Sequence, residues 1–269
     1  LAASLAPVRL QIGETVTHGL STGGDVALGT RAAEAAAPQI EALLRDTDMV
    51  FIAATLGGGT GTGAAPVIAR IARQMGILTV GVVTRPFTFE GARKSRVAEA
   101  GLQALIEQVD SEIVISNDRL LTLDRRDLKL TEAFVLADEM LQQAVQTVCD
   151  FVLKVGLINV DLRDVTAILT RGGRTMVKVS RATGPDRAVV AAEAATSSPL
   201  LDIDVQGATG LLLNIEGGKL GLGEVYTAAE TITAMADPDA NIIFGYIDNP
   251  DLGDSIVITV IATSYRENS

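Results

Sequence analysis

The chain has no tryptophan, and aromatic residues make up only 3% of its 269 positions. Hydrophobic residues still reach 48%, so its cores are expected to be aliphatic, and the length suits one large domain or two ordinary ones. A single cysteine, Cys149, excludes an internal disulfide and fits a reducing cytoplasm. It falls in a helical pattern, where a buried structural thiol is expected rather than a nucleophile. The single histidine, His18, has no Cys or His companion with which to ligate a metal. No uninterrupted apolar run reaches membrane-spanning length, and no signal peptide is visible. Basic residues are outnumbered, 22 Lys and Arg against 33 Asp and Glu, for a net charge of −11 and a pI near 4.6. That balance argues against binding duplex nucleic acid and against direct adhesion to anionic lipid.

The most local deficiency is of carboxylates. From Met49 to Phe89 there is no Asp or Glu, and Arg70, Arg73 and Arg85 are the only charges. An anionic ligand requires such a region. Inside it stands Gly57-Gly58-Gly59-Thr60-Gly61-Thr62-Gly63, with five glycines in seven residues. Glycine lets the backbone turn sharply and leaves its N–H groups bare. An apolar strand-like run, Met49 to Ala54, precedes the loop. A helix-like run opening with Ala64-Ala65-Pro66 follows, and proline suits a first helical turn. Strand, bare loop and helix N-terminus together make an anion site, most often for phosphate. The loop is not G-x-x-x-x-G-K-[ST], because Ala64 and Ala65 stand where a lysine would follow. Gly59, Gly61 and Ala64 do satisfy G-x-G-x-x-A. The next strand, however, ends at Thr84-Arg85 instead of the acid that a dinucleotide ribose needs, which leaves room only for a 2′-phosphate.

Hydrophobic periodicity supplies an outline. Strands are expected at Val8 to Ile12, Asp48 to Ala54, Leu78 to Thr84 and Ile113 to Ser116, and helices at Ala27 to Leu44, Pro66 to Met75 and Glu90 to Gln108. Gly19 to Gly24 reads as a loop, with Asp25 as a helix N-cap. Continuous apolar strands alternating with helices indicate a parallel sheet covered on both faces. Leu130 to Leu153 is the longest helical pattern, with Phe134, Met140, Leu141, Val145 and Val148 at helical spacing. Beyond it lie strands at Thr175 to Ser180, Leu211 to Ile215, Ile242 to Ile247 and Ile256 to Thr263. Helices Ala188 to Thr196 and Glu224 to Met235 fall between them. The expected architecture is α/β: a Rossmann-like domain at 1–129, a connecting helix at 130–155 and a second, smaller α/β domain at 156–269.

The stretch Gly57 to Pro66 resembles the signature loop of the tubulin/FtsZ family, and in particular of FtsZ-type GTPases of bacterial cell division. The likeness continues through Thr79 to Phe87 with Phe89-Glu90-Gly91, Asn117 to Leu121, Gly156 to Asp161 and Asp237 to Gly245, in family order and at family spacing. It covers nearly the whole chain. It implies a GTP-binding, GTP-hydrolysing protein that polymerises head to tail in the cytoplasm at the division site. Its cofactors would be GTP or GDP with Mg²⁺. Its partners would be further copies of itself and division-ring proteins, with neither nucleic acid nor membrane insertion involved. Relatives of this type begin with about two further βα units, the first bearing another glycine-rich phosphate loop, and continue into a disordered linker and a partner-binding peptide. Leu1 in place of a methionine is therefore read as the edge of a processed or longer polypeptide.

The resemblance also implies residue roles. Gly57, Gly58, Gly59, Thr60, Gly61, Thr62 and Gly63 would hold phosphates, and Ser21, Thr22, Gly23 and Gly24 would sense the γ-phosphate. Phe134 and Asp138 lie four apart, hence on one helix face. The ring would stack on guanine while the acid accepts from its N1–H and N2–H₂, with Glu139 as the second choice of acid. Asn117 would contact ribose or base, although Ser116 precedes it where the family usually has proline, which implies a less rigid loop. Glu90 would meet the ribose. The family's arginine four residues on is here Lys94, beside Arg93, and lysine cannot form a bidentate phosphate fork. Asp161 and Asp164, with Asn159, would reach the nucleotide of the next subunit and orient the attacking water. The bland reading of Asp161 is a helix N-cap. Two other readings stand beside the enzyme: a non-catalytic remnant that binds filament ends and holds nucleotide weakly, and, more distantly, an NADP-linked oxidoreductase.

Overall fold

The computed structural model describes residues 4–122, 129–170, 172–196 and 205–264. The chain divides into two compact units, Leu1–Val109 and Asp110–Ser269.

The first unit carries α1 (Glu14–Thr17), α2 (Val26–Ala35), α3 (Ala37–Leu43), β1 (Met49–Thr55), α4 (Thr60–Gln74), β2 (Leu78–Arg85), a 3₁₀ turn (Thr88–Glu90) and α5 (Ala92–Ile106). β1 and β2 pair in parallel, from Met49 opposite Leu78 to Thr55 opposite Thr84. Residues Val8 to Ile12, expected as a strand, take no regular structure. Leu10 and Ile12 instead pack on a small core of Ala33, Ala36, Ile40, Ala64, Val67 and Ile71. The single helix expected over Ala27 to Leu44 is two, because the chain breaks at Ala36, just ahead of Pro38. β2 is buried along all but its last residue, as its apolar run implies. β1 has an equally apolar sequence but buries only Ile52, since β2 is its one strand partner among the described residues.

The helix after the glycine loop begins earlier than expected. α4 starts at Thr60, inside the loop, so Pro66 lies within the helix and not in its first turn. A proline at that depth removes one helical hydrogen bond. The buried run of Thr62 to Ala65 and Val67 fixes the helix there by packing.

The second unit carries β3 (Ser111–Ser116), a 3₁₀ turn (Asn117–Thr122), α6 (Leu130–Leu153), α7 (Leu162–Leu169), β4 (Gly173–Thr183), α8 (Arg187–Thr196), β5 (Gly210–Gly217), α9 (Leu222–Thr233), β6 (Asn241–Asp248), a 3₁₀ turn (Pro250–Leu252) and β7 (Ser255–Ser264). Its strands lie in the order β3-β4-β7-β5-β6. β3 is parallel to β4 and β5 to β6, while β7 runs antiparallel to both β4 and β5. The sheet is therefore mixed. Its centre is aliphatic: Leu211, Leu212, Leu213, Ile215, Ile256, Ile258 and Val260 are fully buried. α6 coincides with the expected helix and packs against β3, β4 and α7. Its buried face is lined by Ala133, Ala137, Ala144, Val148 and Phe151, whereas Phe134 is 43% exposed. Cys149, on the same helix, is only half-buried. Burial and then the Asp150 carboxylate push its thiol pKa up, which keeps it in the unreactive protonated form.

Candidate functional site

The glycine loop is built by close approaches. Gly57 adopts φ 97°, a conformation that favours glycine. Its N–H donates to Thr62 Oγ1 at 2.9 Å, closing the loop on itself. A Cβ on Gly59 would collide with Thr22 Oγ1 and the Asp25 backbone, and one on Gly63 with Val26 O and Thr30 N. The glycines thus let the loop lie directly on the Ser21–Asp25 segment, where the hydroxyls of Thr22 and Thr60 come within 3.4 Å. Asp25 caps α2 as expected, accepting from Leu28 N–H at 3.1 Å. Gly23 and Gly24 take positive φ, 60° and 86°.

Gly58 differs from the rest. Its φ is not positive, and a Cβ there would meet nothing within 4 Å. No packing or backbone reason demands glycine at this position. What a bare position preserves is access to main-chain N–H groups. The N–H groups of Gly58, Gly59, Thr60, Gly61 and Thr62 have no hydrogen-bond partner among the described residues, and the first one engaged is Gly63, which donates to Gly59 O at 3.0 Å. A helix N-terminus with orphan donors and a partial positive charge is suited to an anion.

The side-chain charges give a different picture from the sequence. Arg70 pairs with Glu34 at 3.4 Å, Arg85 with Glu99 at 3.0 Å, and Arg73 donates to Glu107 O at 2.8 Å. All three cations of the carboxylate-free stretch are thus engaged with other groups. The cation that packs on the loop is Lys94: a Cβ on Gly57 would lie 2.8 Å from Lys94 Cγ. Its amine is ion-paired with Glu90, and Glu90 Oε1 also accepts from Phe87 N–H at 2.9 Å. Buried Phe87 stacks on exposed Phe89, with centroids 4.9 Å apart.

In the second unit, Asn117 sits where β3 ends. It is 3% exposed, and its Oδ1 has no hydrogen-bond partner among the described residues. An orphaned buried acceptor costs about 1–3 kcal/mol, a cost that a ligand donor would remove. α6 packs against both β3 and the turn that Asn117 opens. Phe134, Asp138 and Glu139 all lie on the exposed side of that helix, and Asp138 has no hydrogen-bond or ionic partner among the described residues. This is the side on which stacking and base recognition are possible.

Past α6 the chain folds back on β6. Leu157 and Ile158 N–H both donate to Tyr246 O, at 2.9 and 3.2 Å, and Tyr246 N–H donates to Ile158 O at 3.0 Å. Gly156 lies so close that a Cβ would collide with Tyr246 O. Asn159 is exposed, and its Oδ1 accepts from Gly156 N–H at 2.7 Å. Asp161 and Asp164 form a reciprocal capping box on α7. Asp161 Oδ1 accepts from Arg163 and Asp164 N–H at 2.7 and 3.0 Å, and Asp164 Oδ2 accepts from Asp161 N–H at 2.9 Å. The capping reading of Asp161 therefore holds. It leaves one oxygen of each acid, Asp161 Oδ2 and Asp164 Oδ1, without a partner among the described residues. Among the described residues no three His, Cys, Asp or Glu side chains stand together as a metal site.

Residues 1–124 match the tubulin/FtsZ family GTPase domain, and residues 173–266 match the FtsZ family C-terminal domain. The chain belongs to the FtsZ family. It is 40% identical to the FtsZ of M. jannaschii in a structure of its empty dimer, over 94% of this chain and 74% of that one, with a TM-score of 0.84. Against a W319Y mutant of the same FtsZ it is 39% identical, over 98% and 80% of the two chains, with a TM-score of 0.88. The fold is shared more widely, with CetZ2 from Haloferax volcanii in a GTPγS-bound protofilament, at 20% identity over 97% and 80% and a TM-score of 0.77. The α/β architecture is thus that of the tubulin-like cytoskeletal GTPases. Among the described residues, no helix is long and apolar enough to cross a membrane.

Sequence reasoning missed three features: the Thr62 clamp, the engagement of all three arginines, and an ion-pair network around Lys154. The Asp-x-x-Asp spacing of the capping box was legible. The arginine partners were not, because each pair joins residues on separate elements.

Proposed function

We propose that this chain is a GTP-hydrolysing filament protein of the cell-division ring. The loop 57–63 would take the phosphates on its free N–H groups, and Ser21, Thr22, Gly23 and Gly24 would respond to the terminal phosphate. Phe134 would stack on guanine, Asp138 would accept from its N1–H and N2–H₂, and Asn117 would offer its unpartnered oxygen to the nucleoside. Glu90 would reach the ribose by exchanging its bond to Lys94, leaving that amine for a phosphate. Mg²⁺ would arrive with the phosphates and neutralise their charge. The free oxygens of Asp161 and Asp164 would orient water on a nucleotide held by the next subunit, so hydrolysis requires a filament.

The observation that supports this most strongly is the row of unpartnered N–H groups opening α4, with Gly58 bare although nothing in the fold requires it. Self-association is supported by the dimer reported for the M. jannaschii relative. Recruitment of other division proteins to the same site in the cytoplasm completes the reading. The test is phosphate release by the full-length protein across a concentration series, with GTP and with ATP. Turnover per subunit should rise steeply above a critical concentration with GTP alone. Equal turnover with ATP, or a rate per subunit independent of concentration, would reject the reading. Retention of guanine nucleotide without any turnover would favour a non-catalytic filament-binding role.

A further inference from the structure

The side chain of Lys154, the first residue beyond α6, bridges two elements. Its amine contacts Asp150 Oδ2 at 3.2 Å and Glu216 Oε2 at 3.5 Å. Glu216 belongs to β5 and is only 8% exposed. Its other oxygen accepts from Asn249 Nδ2 at 2.6 Å. Asn249 in turn opens the turn after β6, and its N–H donates to Gly217 O at 3.1 Å. Partial burial pulls the lysine pKa down, but the Glu216 and Asp150 carboxylates outweigh it and hold it above the ordinary value, so the amine is charged at neutral pH.

A cavity of about 70 Å³ lies beside the last turns of α6, lined by Thr147, Phe151, Val179, Val257 and Thr259 among others. Two residues after Lys154 the chain reaches Gly156 and the three backbone bonds to Tyr246 on β6. Asn159, Asp161 and Asp164 follow. The link from α6 to the acids is thus held at two points, Lys154 tying its start to β5 and Tyr246 holding its middle, before α7 buries Val165, Ile168 and Leu169.

We propose that Lys154 is a positioning residue for hydrolysis: its ion pair with Glu216 sets the end of α6 and so aims the carboxylates of Asp161 and Asp164. This rests on the functional reading above. In this role Lys154 acts through the segment that carries the two acids, not on the nucleotide or the attacking water. A shift of the helix end by about 1 Å is enough to cost a reaction up to a hundredfold when geometry is its main source of rate.

The experiment compares full-length wild type, K154M, K154R, E216Q and the K154M/E216Q double variant. K154M should lower kcat about tenfold to a hundredfold, with KM and the GTP dissociation constant unchanged. K154R, which keeps the charge and the reach, should restore most of the rate. E216Q should reproduce the K154M loss, and the double variant should be no slower than either. Amide hydrogen exchange at Leu157 and Ile158 should quicken in K154M and E216Q, a readout that needs no hydrolysis. Unaltered kcat in K154M, a change in GTP affinity at constant kcat, multiplying losses in the double variant, or unaltered exchange would each overturn the proposal. Should K154M fail to fold, E216Q and K154R decide it by the same criteria. Absence of turnover in the wild type would instead count against the functional reading, and the exchange measurement would still judge the latch.

Discussion

Gly58→Ala separates the needs of the fold from those of the ligand. The added methyl meets nothing within 4 Å, and the native φ is not positive. The folded state is therefore unstrained, while the unfolded chain loses freedom, a combination worth about 0.4–1 kcal/mol of added stability. The melting temperature should hold or rise by a few degrees. The methyl also occupies the open approach to the row of free N–H groups. Losing one charge-assisted bond to a phosphate oxygen costs about 1.5–3 kcal/mol, or about a tenfold to a hundredfold weaker affinity. Thermal melts and titration with a fluorescent guanine nucleotide measure both on one preparation. Gly59→Ala is the contrast: its methyl collides with Thr22 and Asp25, so it should lower both stability and affinity. Native affinity in a stable Gly58→Ala protein would refute the argument that this glycine is bare for a ligand.

Asp164→Ala in the full-length protein should lower GTP turnover by about 10²–10⁴-fold while GTP binding survives; wild-type turnover would remove the acid from the mechanism. Asp138→Ala should weaken GTP about tenfold or more by deleting a charged acceptor, with ATP affinity little changed, as competition titrations would reveal; equal losses for both nucleotides would contradict base reading. Arg187 on α8 donates to Glu224 on α9, from Nε to Oε1 at 2.6 Å and from Nη2 to Oε2 at 3.0 Å, and this pair predicts a pH effect. The bond from Arg187 and then that from Gly221 N–H hold the Glu224 pKa below its ordinary 4.5, so this stabilisation is complete above that value and fades as pH falls through the depressed one. Melting curves from pH 7 downward should show wild type losing more stability than Glu224→Gln; parallel curves would discount the pair.

Local pattern was enough for the element order of most of the chain and for the location of the glycine loop. Those are local properties. β2 reads as a buried strand from seven consecutive residues, α6 from its 24-residue pattern, and the loop from five glycines whose bare backbone is a consequence of composition alone. The capping of α7 was legible for the same reason, since Asp161 and Asp164 satisfy each other's segment within one turn. Local pattern failed where a distant partner decided the outcome. Leu10 and Ile12 alternate like a strand yet pack on α2, α3 and α4, and β1 reads as buried but has one strand neighbour among the described residues. The charges followed the same rule. Arg70, Arg85 and Arg73, the only charges of the carboxylate-free run, are engaged from other elements by Glu34, Glu99 and the Glu107 carbonyl. It took the packed fold to show that Gly58, alone among the loop glycines, is unconstrained, that the Asn117 oxygen has no partner among the described residues, and that Lys154 reaches Glu216 across sixty-two positions of sequence. Backbone preference is set within a few residues, whereas ion pairs and orphaned polar atoms depend on which elements the fold brings side by side.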